Sequence, residues 1–149
     1  MEDGDDRELG FLLYDAARLL RRDFDRRAKG LGLSRAQWSV LAHLARQEGV
    51  KQAELAELLD VQPITLARQL DRLEAGGWVR RCYDPQDRRV RRLYLTEDAL
   101  PVLEDLRELG RQTRSLALQG LDGEDRRQLL NLLSVVRGNL AAGGFTNNE

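Results

Sequence analysis

The sequence predicts a mainly α-helical chain of the α+β class, with helices on both sides of a single β-hairpin. Three observations predict it. Through most of the 149 residues, apolar positions recur three and four apart, the period of a helix that buries one face. Two short runs, WVRRCYD and VRRLYLT, carry β-branched and aromatic residues around DPQDRR, as the arms of a hairpin do around a turn. Gly, Pro, Ser and Asp fall between these segments, where helix ends and turns need them.

The first helix is expected over residues 7–29. Leu9, Leu12, Leu13, Ala16, Leu20 and Phe24 share one face, and Gly30 and Gly32 end it. LSRAQWSVLAHLARQEG gives the second, with Ser34 as its cap and Gln37 three residues on to complete a capping box. Its stripe is Trp38, Leu41 and Leu44, and Gly49 closes it. QAELAELLDV gives a short third helix whose apolar set is Leu55, Ala56, Leu58, Leu59 and Val61. The break from Asp60 to Gln62 is tight, and Pro63 then sits at a first helical position, where its missing N–H costs nothing. The fourth helix, PITLARQLDRLEAGG, stops at Gly76 and Gly77. At 100° per residue its Leu66, Leu70 and Leu73 face a core. Thr65, Arg68, Gln69 and Arg72 face away, with Ile64 at the border.

Two helices joined so tightly form a helix-turn-helix. A hairpin directly after the second of them is a wing. The fold class is therefore mainly α (α+β), a winged helix-turn-helix. A long helix follows over 97–119, with Thr96 as its cap, Leu100, Leu103, Leu106 and Leu109 on one stripe, and Pro101 disturbing its first turn. Gly120 and Gly123 bracket a junction, and Asp122 caps a last helix with a seam of Leu129, Leu132, Leu133, Val136 and Leu140. The tail AAGGFTNNE reads as disordered. The terminal helices carry more apolar surface than a small central domain covers, which predicts dimerisation. The expected division is 1–30 and 97–149 for dimerisation and 31–96 for the winged helix-turn-helix.

Charge points to the partner. The whole chain carries −1. Between Gln62 and Thr96, however, eight arginines stand against four acids, Asp71, Glu74, Asp84 and Asp87. A local cationic surface on a near-neutral chain marks a face for a polyanion. Lys29 and Lys51 are the only lysines. Arginine is the residue suited to forked recognition of phosphates and guanine edges. No apolar run nears the roughly 20 residues that span a bilayer, and MEDGDDRE is no signal peptide, so no membrane partner and a cytoplasmic protein are expected. The lone Cys82 fits a reducing compartment.

The stretches LSRAQWSVLAHLA, QAELAELLDVQPITLARQLDRLEAGGWVRR and DPQDRRVRRLYLT, followed by two long helices, resemble the MarR family (multiple antibiotic resistance regulators) over about residues 8–141. The resemblance implies a homodimeric DNA-binding transcription regulator, a repressor at a pseudo-palindromic operator in double-stranded DNA. It also implies release by a small aromatic acid or phenolic effector. By the matching positions the recognition helix enters the major groove with Gln62, Pro63, Thr65, Arg68 and Gln69. Arg68 suits a guanine, Gln69 an adenine, and Thr65 a phosphate or base. The family's Asp-x-Arg wing tip corresponds to Asp87-Arg88-Arg89. Arg89 is expected in a narrow minor groove, Asp87 to hold it by a forked salt bridge, and Arg88 and Arg91 to meet phosphates.

This chain departs from the family's Leu-Thr-x-x-Gly after the wing, with Ala99 at the glycine position. It also lacks the early cysteine of peroxide-sensing members. Cys82 is expected as a small buried hydrophobe, His43 as helix packing, and Trp38 and Trp78 as core anchors. One His and one Cys make no tetrahedral metal set, and no cofactor is implied. No nucleophile–base pair or phosphate loop argues for an enzyme. The alternative function is a winged-helix protein-interaction module without sequence-specific DNA binding. Tyr14 and the arginines suit an aromatic carboxylate, but no motif assigns residues to a ligand pocket.

Overall fold

The computed structural model describes residues 6–143. Their order is α1 (Glu8–Ala28), α2 (Arg35–Arg46), α3 (Gln52–Leu58), α4 (Pro63–Ala75), β1 (Val79–Tyr83), β2 (Arg91–Leu95), α5 (Leu100–Ala117) and α6 (Gly123–Ala142). The chain divides between Thr113 and Arg114 into two compact units.

The first unit is built on leucines. Leu41 and Leu44 of α2, Leu55 of α3, Leu66, Leu70 and Leu73 of α4, Val79 and Leu93 of the hairpin, and Leu103 and Leu106 of α5 form one buried cluster. Truncating one such leucine to alanine typically costs about 2–5 kcal/mol. Trp38 and Trp78 pack against this cluster half-buried rather than at its centre.

Local signals place the helices. Ser34 accepts from the Gln37 amide at 3.2 Å while Gln37 Oε1 accepts from the Ser34 amide at 3.0 Å, a complete capping box. Asp60, with φ of 53°, turns the chain from α3 into α4. Gln62 is extended, and Pro63 opens α4. Beyond α4, Gly77 takes φ of 83°, a left-handed value that favours glycine, and the chain turns into β1.

The strands pair antiparallel, Val79 opposite Leu95 and Tyr83 opposite Arg91. Residues 49–51 add a short third edge. The Gly49 amide donates to Leu93 O (2.8 Å), the Leu93 amide donates to Val50 O (3.0 Å), and Lys51 bridges to Arg92. The wing is thus tied to the segment that leads into α3.

Polar latches fix α1. Asp23 is buried and accepts from Arg26 (2.9 Å), Arg27 (2.8 Å) and Thr113 of α5 (2.8 Å). Donation by Arg27, then by Thr113, holds its carboxyl below the usual range against the opposing effect of burial. Two residues on, Asp25 accepts from Trp38 Nε1 at 2.6 Å and pairs with Arg35. Phe24 lies against the same indole, centroids 4.5 Å apart.

Several expectations need correction. Leu58 is 58% exposed, because α3 ends there and it falls outside the packed face. Thr96 does not cap the following helix. Its hydroxyl donates to Gly77 O at 2.5 Å, and a 3₁₀ turn over Glu97–Ala99 precedes α5. Leu100 is 60% exposed, leaving Leu103 and Leu106 as the buried part of that stripe. Cys82 is half-buried rather than buried, since it sits on the open side of a two-stranded ribbon.

In the second unit, Asp122 accepts from the Asp125 amide at 2.9 Å, and Asp125 accepts in return from the Asp122 amide at 3.2 Å. That box starts α6, which continues through Ala141 and Ala142 into the tail expected to be disordered; residues 144–149 lie outside the described ones. Among the described residues no helix is long and apolar enough to cross a membrane.

Candidate nucleic-acid interface

The α4 leucines anchor the helix by one face, and that sets what the opposite face presents. Thr65, Arg68 and Arg72 are exposed, as are Gln62 and Pro63 at the N-terminus. Gln62 makes no side-chain cap, so the first turn's amides keep their partial positive charge without an intramolecular side-chain partner. Such an end attracts anions.

Gln69 differs from its neighbours. It is half-buried, and its Oε1 is shut from solvent without a hydrogen-bond partner. With Thr65 it lines a cavity of about 600 Å³ bounded also by Arg21, Trp38, Val40 and His43. His43 Nδ1 donates to Ser39 O at 2.8 Å, which fixes the imidazole along α2. On the other flank of α4, Pro63 lines a second cavity of about 460 Å³, with Lys51, Arg81, Arg89 and Arg91.

The wing's turn is built by Asp84. Its Oδ1 accepts from the Gln86 amide (2.8 Å) and the Asp87 amide (3.2 Å), and its Oδ2 from Arg92 Nε (2.6 Å). The Gln86 amide, then Arg92, hold the carboxyl below its ordinary range against the opposing effect of burial. Arg92 also donates to Gly49 O at 2.8 Å. At the tip, Arg89 Nε meets Asp87 Oδ1 at 3.2 Å and its Nη2 meets Oδ2 at 3.4 Å. The fork expected from the sequence is present, and it orients a guanidinium whose side chain is 91% exposed. Arg88 is exposed beside it. Arg91 lies over the Tyr83 ring, its Cζ 4.6 Å from the centroid, and donates to the phenol oxygen at 3.2 Å.

Sequence reading passed over one residue that organises this surface. Arg81 of β1 reaches α4, donating to Asp71 at 2.6 Å and Glu74 at 3.0 Å, and its amide donates to Glu74 at 3.1 Å. Its side chain is only 14% exposed. The signal was two acids three residues apart on α4 facing the strand that follows.

Comparison with known proteins bears on this geometry. A model of the MarR family matches residues 33–90, from the start of α2 to the wing tip. An uncharacterized HTH-type transcriptional regulator of Bacillus subtilis, YybA, is 31% identical over 134 residues, covering 90% of this chain and 87% of that protein. The chain belongs to the MarR family. It is a MarR-family transcriptional regulator with the family's winged fold. The crystal structure of transcriptional regulator PA3341 superposes with a TM-score of 0.80 at 38% identity, covering 90% of this chain and 98% of that one. A cysteine-to-serine mutant of MarR from E. coli, crystallised with operator DNA, matches with a TM-score of 0.70 at 28% identity over 86% of this chain and 92% of that one.

Proposed function

We propose that this MarR-family chain is a homodimeric DNA-binding repressor of a pseudo-palindromic operator, acting in the cytoplasm and released by a small aromatic acid or phenol. It works as a regulator rather than an enzyme. The observation that carries the reading is Arg89. A guanidinium 91% exposed, yet aimed by both oxygens of Asp87, is preorganised for an anion outside the chain. The exposed N-terminal half of α4, with Gln62, Pro63, Thr65 and Arg68, stands ready for base edges and phosphates. Gln69, half-buried, reaches an adenine only if its amide swings out of the cavity it lines. Arg88 and Arg91 supply charge for the backbone. The likeness to the operator-bound MarR of E. coli supports the same reading.

Dimerisation is supported by the terminal helices. Phe11 is 71% and Leu12 65% exposed on α1, and Leu130 is 65% and Leu140 70% exposed on α6. Apolar side chains in such numbers suit a second subunit. In this reading residues 1–30 and 97–149 carry dimerisation and 31–96 the DNA contacts. For the effector, the support is the cavity of about 600 Å³, lined by Trp38, Val40, Leu59 and Val61 together with Arg21 and Arg35. Thr65 and Gln69 line it, so a ligand there shifts the helix that reads the bases.

The test is equilibrium binding of the whole chain to promoter duplexes across a salt series. A specific complex of two chains per duplex is expected. Log K should fall linearly with log salt by about 0.9 for each phosphate neutralised. Salt-independent association, or a monomer at micromolar concentration, would remove the reading and favour a protein-interaction module.

A further inference from the structure

We infer that Ile64 reads the 5-methyl group of a thymine about two base pairs from the guanine contacted by Arg68, and so fixes part of the operator sequence. This rests on the DNA-binding reading above.

Ile64 is the second residue of α4 and is 62% exposed. A single exposed isoleucine is ordinary on a protein surface, so its position has to carry the weight. The helix runs between two cavities. Thr65 and Gln69 line one, and Pro63 lines the other. Ile64 and Arg68 line neither, and they stand together on the crest between them. Four residues apart, they are neighbours on one helical face. Their separation along the helix axis is about 6 Å, so in a groove they reach bases within about two rises of about 3.4 Å of each other. The exposed apolar residues Leu58 and Val61 belong instead to the wall of the larger cavity.

The surroundings of Ile64 are made for a polyanion. Pro63 and Gln62 precede it at the positive end of the helix, Arg68 stands one turn on, and Arg89 projects from the wing. An isoleucine there can make no hydrogen bond with a base edge. In the major groove the one apolar group on the four natural bases is the thymine methyl. Covering it removes two apolar surfaces from water at once. Cytosine, with hydrogen in that place, gives the side chain nothing to cover.

In vitro selection from a random duplex pool with the full chain first supplies a binding site. Each thymine is then replaced in turn by deoxyuridine, which deletes only the methyl. Wild type should lose about fourfold per half-site, the worth of one buried methyl, at one symmetry-related pair of positions. Those positions should lie within about two base pairs of a guanine whose replacement is penalised only when Arg68 is present. Ile64→Ala should melt like wild type, bind the thymine site about as weakly as wild type binds the uracil site, and be indifferent to the exchange. Wild-type binding that ignores every exchange overturns the proposal, as does a uracil penalty that persists in Ile64→Ala. In both cases salt-dependent, selected binding would leave the DNA reading standing. If the pool yields no bound duplex even in dilute buffer, both readings fall.

Discussion

Two aspartate–arginine pairs lie in one hairpin, a few residues apart, and they do different work. At the wing's base, Asp84 and Arg92 meet at 2.6 Å with side chains 10% and 34% exposed. Each makes further bonds inward, Asp84 to the turn amides and Arg92 to Gly49 O. At the tip, Asp87 and Arg89 meet at 3.2 Å with side chains 42% and 91% exposed. The base pair spends its hydrogen-bonding capacity on the fold, whereas the tip pair leaves most of a guanidinium facing outward in a fixed direction. Counting cations in a sequence overstates a binding surface for this reason. Of the arginines that crowd the hairpin, Arg81 and Arg92 are consumed inside the protein, Arg80 lies over the Tyr94 ring, and Arg88, Arg89 and Arg91 are exposed.

The sharpest test of the contrast is Arg89→Ala. Its pairing with Asp87 is an exposed one, worth about 0–1 kcal/mol to the fold, so the urea midpoint should stay near wild type. Operator binding should weaken by on the order of 1–3 kcal/mol per reading head, most on sites whose flanking minor groove is narrow. Urea melts and fluorescence anisotropy on the same preparation decide it. Wild-type affinity with lowered stability would place Arg89 with the structural arginines.

Arg81→Met should do the reverse on a smaller scale. Its acid partners are largely exposed, Asp71 at 64% and Glu74 at 42%, and its Nε is already buried without a partner. Methionine keeps much of the apolar stem and removes that unsatisfied donor. The expected loss of stability is therefore at most about 1 kcal/mol. The slope of log K against log salt should not change, because Arg81 is committed to α4 and neutralises no phosphate. A slope reduced by about one per subunit would show that it does.

The difference between the two classes of arginine also marks what the sequence could tell. Signals that act within a few residues were legible: the Ser34–Gln37 box, the Asp122 cap, Pro63 at a helix start, the Asp-Pro turn and the Asp87–Arg89 fork all stand where their spacing puts them. The leucine face of α4 was legible because the helical period alone decides it. What needed the three-dimensional arrangement was not. Arg81 finds its partners only when β1 lies back along α4, and Arg92 finds Gly49 only across 43 positions. Thr96 has the residue type of a cap but is captured by Gly77 instead. Gln69 lies within about 60° of Leu66 and Leu73 around the helix, so it borders the leucine face and part of it turns toward a cavity, whereas Ile64, expected at the border, points away from that face and is 62% exposed.

The smallest expected effect is one of pH, and it belongs to the base pair. The Asp84 carboxyl is held below its ordinary range by the amides of the turn and by Arg92. A carboxylate whose folded pKa is depressed adds stability above its unfolded pKa, about 3.9. It loses that contribution as pH falls through the folded value. Between pH 8 and 5 the wing should therefore be indifferent to acid. Below about pH 4, protonation weakens the acceptor that gathers Gln86, Asp87 and Arg92 into the turn. Exchange protection of the Asp84 amide, which donates to Val90 O at 2.9 Å, should then fall before the core of α4 opens. In Asp84→Asn the protection should be lower at neutral pH and flat through the acid range, since no charge remains there to titrate. An acid transition of the same size in Asp84→Asn would show that some other carboxylate closes the hairpin.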